Sequence, residues 1–442
     1  DGFDLRRDGR AGVVVEVDPC HGREPSFLRD DHTLKDTSLI DPYRYHAWHP
    51  MSVLARWRYD RFIGFLAASA NTARRRLMTD QHQRAERQLR VAVVGGGIGK
   101  QHLTAYRQLA DLYEVVAFCD TVPERARAIA DEFCIGRTAA TLDDLLKSEK
   151  IDIVDLCTPP NLHVPQIKQV LAAGKHVICE KPIAGTLKEL DELAEAERTS
   201  GKTISPIFQY RFGDGFRKLM HLKVKGLLGH AYLATVETHW KRDATYYAHP
   251  WRGRLETELG GCLVSHAIHA HDLLLTAFGP AKSIHGRTAT RVNQIEVEDC
   301  AVLSLEMAGG ALAALTVTLG AEREHTRLRF MFEHATVTSS LGPYNPGADP
   351  WIFEPRSEEA RGLIEAVLAE VKPGRSGFAG QFSALHEVLT TGTELPVTLA
   401  DARRSIELFT AAYHAATTDD TVELPLSAVH EAYEYGAMAS GH

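Results

Sequence analysis

The sequence predicts an α/β protein in which a parallel sheet wrapped by helices precedes an α+β domain with a largely antiparallel open sheet. Three observations carry this. Short apolar runs rich in β-branched residues alternate with helical segments from residue 90 to about residue 180, the order that buries a parallel sheet between helices. A glycine-rich turn follows the first of those strands directly. After about residue 205, several strands come close together with only short turns between them, which suits antiparallel pairing.

In chain order, residues 1–77 are rich in Arg, Asp and His and show no period; a polar lead starts at Met78. The expectation is an N-terminal extension outside the native fold, with 78–442 self-sufficient. Strands are expected at 90–94, 114–119, 152–157 and 176–179, and helices at 102–112, 123–133 and 164–173. Pro123 suits a first helical turn and Gly174 a helix end. Further strands are expected at 231–239, 301–306, 311–318 and 326–332, with a hairpin turn at 307–310. Helical spacing returns at 399–415 and is expected to pack back on the first domain. The domains read as 78–205, dinucleotide-binding, and 206–442, substrate-binding and oligomerisation.

A chain of 442 residues exceeds one ordinary core. Its 44% hydrophobic and 24% charged content is that of a globular protein. The net charge of −8 gives no reason to expect nucleic acid or an anionic membrane as partner. The apolar stretch 62–70 is far short of the ~20 residues that span a bilayer, and no secretory signal is visible. The seven cysteines form no C-x-x-C pair; Cys119, Cys157 and Cys179 lie in strand-like runs and read as buried thiols. A cytoplasmic location is expected.

Gly95-Gly-Gly-Ile-Gly99 lies between a strand and a helix. Glycines there admit a pyrophosphate to the backbone, and the helix N-terminus supplies amide donors. The spacing is one residue shorter than G-x-G-x-x-G, and taken alone it could be a structural turn. Asp120 ends the second strand 25 residues after Gly95, where a carboxylate binds ribose hydroxyls and repels a 2′-phosphate; its plain alternative is a helix cap. Cys157-Thr-Pro-Pro-Asn-Leu-His163 and Cys179-Glu-Lys-Pro182 each follow a parallel strand, at the edge where such sheets bind ligands. Lys181 alone could equally be a surface lysine or a partner of Glu180. Trp240, Lys241, Tyr246, Tyr247, Trp251 and Arg252 offer rings and donors of the kind that hold a sugar, or ordinary loop packing.

Residues 91–184 resemble the Gfo/Idh/MocA family, named for glucose-fructose oxidoreductase and inositol dehydrogenase. The features are the glycine loop, Gln101-His102, Thr158-Pro-Pro-Asn-Leu-His163 and Glu180-Lys-Pro182, in that order. Phe208-Gln-Tyr-Arg-Phe212, Trp251-Arg252, Gly260-Gly261 and Ile268-His-Ala-His-Asp272 extend the likeness to about residue 430. The resemblance implies a Rossmann domain holding NAD, with NADP possible, against Gly95, Gly97, Ile98, Gly99, Asp120, Thr158, Pro159, Asn161, His163, Glu180, Lys181 and Gln209. It implies Lys181 and His269 as catalytic residues. Tyr210, Arg211, Trp251, Arg252, Ser265 and His266 would join them around the substrate. The family pattern Asp-x-Gly-x-His-x-x-Asp keeps His269 and Asp272 here, but Ser265 and Ala267 replace its first Asp and its Gly.

The chemistry supports those roles. Oxidising an alcohol needs a base for the hydroxyl proton, which an imidazole near its ordinary pKa suits, and an ammonium steadies the developing alkoxide. No metal is expected, since His266, His269, His271 and Asp272 do not converge as a ligand set. The expected function is a dehydrogenase of a sugar, inositol or related polyol, acting as a homodimer or homotetramer. An NAD-assisted glycoside hydrolase would instead form product without net NADH, and a silent dinucleotide sensor would not turn over.

Overall fold

The structure, a computed structural model, describes residues 87–148 and 150–437. The expectations for residues 1–77 lie outside the described residues.

The first sheet has six parallel strands in the order β3-β2-β1-β4-β5-β6: β1 (Leu89–Val94), β2 (Tyr113–Cys119), β3 (Thr138–Ala139), β4 (Ile153–Leu156), β5 (His176–Cys179) and β6 (Ile204–Pro206). Val91, Ala92 and Val93 are inaccessible to solvent, as a strand covered on both faces requires. The helices Gly99–Gln108, Pro123–Phe133, His163–Ala172 and Leu187–Ser200 connect the strands. Pro123 does stand at the start of its helix. Leu187–Ser200 opens on a capping box between Thr186 and Glu189 and closes on Gly201 at φ +63°. The chain leaves β1 towards β2 on one side and later resumes at β4 on the other. The turns after β1 and β4 therefore diverge and leave a crevice at the carboxyl edge.

The second sheet has eight strands in the order β13-β12-β11-β7-β10-β9-β8-β14. They are β7 (Ala231–Lys241), β8 (Ala281–Ala289), β9 (Cys300–Met307), β10 (Leu312–Thr318), β11 (Gly320–Phe332), β12 (Ala335–Thr338), β13 (Ile352–Pro355) and β14 (Val422–Glu423). All neighbours pair antiparallel except β7 and β10. Strict alternation sorts the two faces. Ala234, Val236, Leu303, Leu315, Leu328 and Phe330 are buried on the inner one beneath the helix Ile268–Phe278.

Two helices tie the sheets together. Leu399–Thr418, where helical spacing was read, packs on β8, on Ile268–Phe278 and on Leu187–Ser200. Gly377–Thr391, which the sequence reading left unassigned, covers the front of the first sheet. Its Ala379, Phe382 and Leu385 join Val91, Val93, Phe118 and Ile178 in one apolar cluster. No helix among the described residues is long and apolar enough to cross a membrane. The six described cysteines are free thiols, and Cys119, Cys157, Cys179 and Cys262 are buried.

Phe382 is fully buried and stacks on Tyr106 with ring centroids 4.5 Å apart. Phe382→Ala is expected to cost about 3–5 kcal/mol by the transfer and cavity terms, read as a lowered midpoint of urea unfolding.

Candidate functional site

The glycine loop is shaped by contacts that leave no room for side chains. Gly95 sits at φ +102°, and a Cβ there would lie 2.5 Å from the Cys157 carbonyl oxygen. At Gly96 it would lie 2.8 Å from an Asp120 carboxylate oxygen, whereas Gly97 has nothing within 4 Å. The loop therefore lies close against the turn after β4 and is open at Gly97. The following helix has no side-chain cap and no acidic residue in its first turn, so its leading N–H groups are available to an anion. These features fit a dinucleotide pyrophosphate.

Asp120 closes the next turn. Its carboxylate accepts from the Gly96 N–H (2.9 Å), the Val122 N–H (2.9 Å), and Arg125 Nε and Nη2 (2.8 and 2.6 Å). Burial pushes its pKa up, but these donors, Arg125 first, outweigh burial and hold the carboxylate below its ordinary range.

Beneath the crevice lies a buried chain of charge. His102 Nδ1 meets Asp155 at 2.9 Å, and Nε2 meets Glu180 at 3.1 Å. Tyr106 Oη donates to the same Asp155 oxygen at 2.9 Å. Burial would lower the His102 pKa, yet Asp155 raises it well above the ordinary value; the ring is an imidazolium between two carboxylates. Glu180, despite burial, is pulled to about 2 by that contact, and its other oxygen accepts the Lys181 backbone N–H at 3.1 Å.

Lys181 then extends to the second domain, where its Nζ donates to the Ser265 carbonyl at 2.6 Å. Burial lowers its pKa, with Glu180 opposing. Ser265 lies in a π-helical turn, Leu263–Ala267, directly before the helix Ile268–Phe278, a wide turn common at functional sites. His269 packs against Tyr210 at 4.6 Å between centroids, and its buried Nδ1 has no partner among the described residues. Burial, then the Lys181 charge, depresses its pKa to about 3. His266 has neither ring nitrogen paired among the described residues, and burial, then Arg242, Lys181 and Arg252, push its pKa well below the ordinary value. Both rings are neutral at neutral pH, so the expectation of an imidazole near its ordinary pKa is corrected by burial beside a cation.

Other expected residues take different places. Arg211 is not free for a substrate: its guanidinium is spent on Asp272 (2.7 Å from Nε) and on Asp401 (3.1 Å), which also turns Asp272 away from His269. His163 is fully buried, with both ring nitrogens on backbone oxygens, of Pro182 at 2.7 Å and Thr158 at 2.8 Å. It braces the turns after β4 and β5 rather than offering itself to a cofactor, and Glu180 is likewise spent on internal bonds. Thr158, Pro159 and Asn161 stay accessible on the turn after β4. The buried Gln209 Oε1 has no partner among the described residues.

Glu258 was not singled out in the sequence. Nothing in its spacing sets it apart, yet it is 1% exposed. It accepts from the Gly253 N–H (2.6 Å) and the Ser265 hydroxyl (2.8 Å) and lies 3.4 Å from Arg252. Its carboxylate thus stands beside the position where the family pattern has Asp. Arg252 lies over the Tyr246 and Trp251 rings, at 4.0 and 4.2 Å. Arg242 lies over Trp240 and Tyr246, both at 5.0 Å. A groove of about 620 Å³ opens beside this cluster, lined by Lys241, Arg242, Tyr247, Asn293 and Gln294 among others.

Comparison with known proteins places this geometry. Residues 89–208 match the model of an oxidoreductase family with an NAD-binding Rossmann fold, and residues 216–338 match the GFO/IDH/MocA C-terminal domain. The chain is 26% identical over 363 residues to D-glucoside 3-dehydrogenase of Escherichia coli, covering 76% of this chain and 97% of that one. It is 28% identical over 246 residues to an uncharacterised oxidoreductase of Synechocystis, covering 52% of this chain and 65% of that protein. Among solved structures, the WlbA dehydrogenase of a Chromobacterium, in complex with NADH and UDP-GlcNAcA, superposes with TM-score 0.69 at 27% identity. That match covers 77% of this chain and 97% of that one.

His102→Ala would leave Asp155 and Glu180 facing each other, buried and without their cation. The expected loss is about 3–5 kcal/mol of folding stability, measured by urea unfolding followed by circular dichroism.

Proposed function

We propose a dehydrogenase mechanism from one premise: this chain belongs to the Gfo/Idh/MocA oxidoreductase family and is an NAD-dependent enzyme. The substrate is a sugar or related polyol, oxidised at a carbinol carbon held between Lys181 and His269. The observation that carries this reading is Lys181. It leaves the Rossmann sheet with a lowered pKa and reaches Ser265, four residues before His269, on the other domain.

When bound, NAD supplies the hydride acceptor. The glycine loop and the open helix start would hold its phosphates, Asp120, through its bonds to Gly96, Val122 and Arg125, would fix the turn beside its ribose, and Gln209 would meet its nicotinamide end. The protein's own part is the proton. Lys181, once deprotonated, takes it from the substrate hydroxyl, while His269 Nδ1, buried and without a partner among the described residues, holds that hydroxyl in place. As an ammonium, Lys181 then steadies the oxygen as the carbonyl forms. Glu258 balances the charge beside Ser265 and Arg252. The stacked Tyr246, Trp251 and Trp240 rings, with the arginines over them, suit the CH faces and hydroxyls of a sugar. The name D-glucoside 3-dehydrogenase of the E. coli relative supports this substrate class.

The second sheet suggests a homo-oligomer. Its outer face exposes Val302 at 60%, Leu312 at 56% and Leu233 at 38%, an apolar surface that a second copy would cover.

A panel of glycosides, inositols and sugar acids, followed by nicotinamide absorbance with NAD and with NADP, tests the reading. Turnover of none, with either cofactor, overturns it. Lys181→Ala and His269→Ala are each expected to lower kcat about 10²–10⁴-fold, with NAD affinity within a few-fold by calorimetry. The oxidation-direction kcat/KM should not rise near pH 6.5, because His269, at about 3, is already neutral there. It should rise at alkaline pH below the 10.5 of an ordinary lysine, as Lys181 loses its proton, and Lys181→Ala should remove that rise. Light scattering at micromolar concentration should give a multiple of the 48.9 kDa chain mass.

A further inference from the structure

We propose that Glu237, His239 and His325 form a divalent-cation site, suited to Zn²⁺, on the outer face of the eight-stranded sheet. The fold gathers them from distant parts of the chain. Glu237 and His239 are two apart on β7 and so point to the same face, and His325 stands opposite His239 on β11. One ligand atom from each residue lies within 4.8 Å of the other two. Two such atoms are already close, His325 Nε2 and Glu237 Oε2 at 3.2 Å. Donors bound at about 2.0–2.2 Å in a tetrahedron are roughly 3.3 Å apart, so side-chain rotation of His239 by about an ångström completes the set.

The donor chemistry is that of zinc. Two neutral imidazoles and a carboxylate leave a fourth position for water, and the carboxylate cancels one of the two charges. Orienting contacts are also present. His239 Nε2 is bonded to Thr316 Oγ1 at 2.9 Å, which fixes the orientation of the ring. The Arg327 guanidinium is 3.9 Å from the other Glu237 oxygen, Oε1, and so leaves Oε2 to the ion. All three side chains are half-buried, which limits their rotamers before any ion arrives. The other cluster of potential ligands among the described residues, His102, Asp155 and Cys157, is locked in the core by the bonds given above.

The site lies in neither the glycine crevice nor the Lys181 seam and so stands apart from the proposed chemistry, while it shares the outer sheet face assigned above to a second copy. The test is calorimetric titration of ZnCl₂ into the full chain after chelator treatment. One saturable equivalent per chain is expected, and His239→Ala and His325→Ala should each weaken it at least about tenfold. Glu237→Gln should weaken it in the same direction. Co²⁺ in place of Zn²⁺ should give the visible absorption of a low-coordinate ion, lost in His325→Ala. NAD binding, measured alongside, should be unchanged in all variants and confirms that they fold. No saturable equivalent, or one that both histidine variants keep at full affinity, overturns the proposal.

Discussion

The crevice hangs on one buried cation. His102 lies on the helix that follows the glycine loop, Asp155 on β4 and Glu180 just past β5. An imidazolium shared by two carboxylates in a dry interior holds these three elements in one register, because any slip would leave an unpaired charge out of water. The backbone that departs from Glu180 is the backbone of Lys181, held by a bond from its own N–H to that carboxylate. The backbone of Lys181 is therefore positioned from below by this buried network. Phe378 and Phe382, from the helix that covers the sheet, lie against the His102 ring and keep water away from it.

The seam between the domains follows a different rule. Its imidazoles, His266 and His269, are buried near Lys181, and His266 also near Arg242 and Arg252; burial and these cations favour the neutral forms, with Glu180 opposing at His269. One buried carboxylate, Glu258, offsets Arg252 and bonds the Ser265 hydroxyl. The same logic removes Arg211 from the seam. A guanidinium facing two buried carboxylates is worth more there than exposed in a pocket. Among the described residues, His269 Nδ1 and both ring nitrogens of His266 thus remain without a hydrogen-bond partner.

The strand pattern, glycine loop, Asp120, Thr158-Pro-Pro and Glu180-Lys-Pro were legible because each is a local device: period, turn geometry or strand-end position. The helix Gly377–Thr391 was harder, since its apolar face gains meaning only against Tyr106 and His102, more than 270 residues earlier. β6 was missed because three residues carry no period. The helices Leu187–Ser200, Asp214–Val224 and Glu358–Glu370 and the strands β8, β12 and β13 were not read either. Boundaries of the elements that were read moved by a few residues; β11 starts at Gly320, six residues before the expected strand.

By itself, the sequence determined the fold class and the glycine-rich turn between β1 and its helix, because hydrophobic period and glycine placement act over a few residues. Tertiary structure decided which charges meet. It put Arg211 on Asp272 and Asp401, set His163 as a brace, brought Glu258 to Ser265, and gathered Glu237, His239 and His325 on one sheet face. The physical reason is range. A carboxylate's partner and the dielectric around it depend on elements that are close in space but far apart in the chain, and those two quantities fix whether it binds, braces or neutralises.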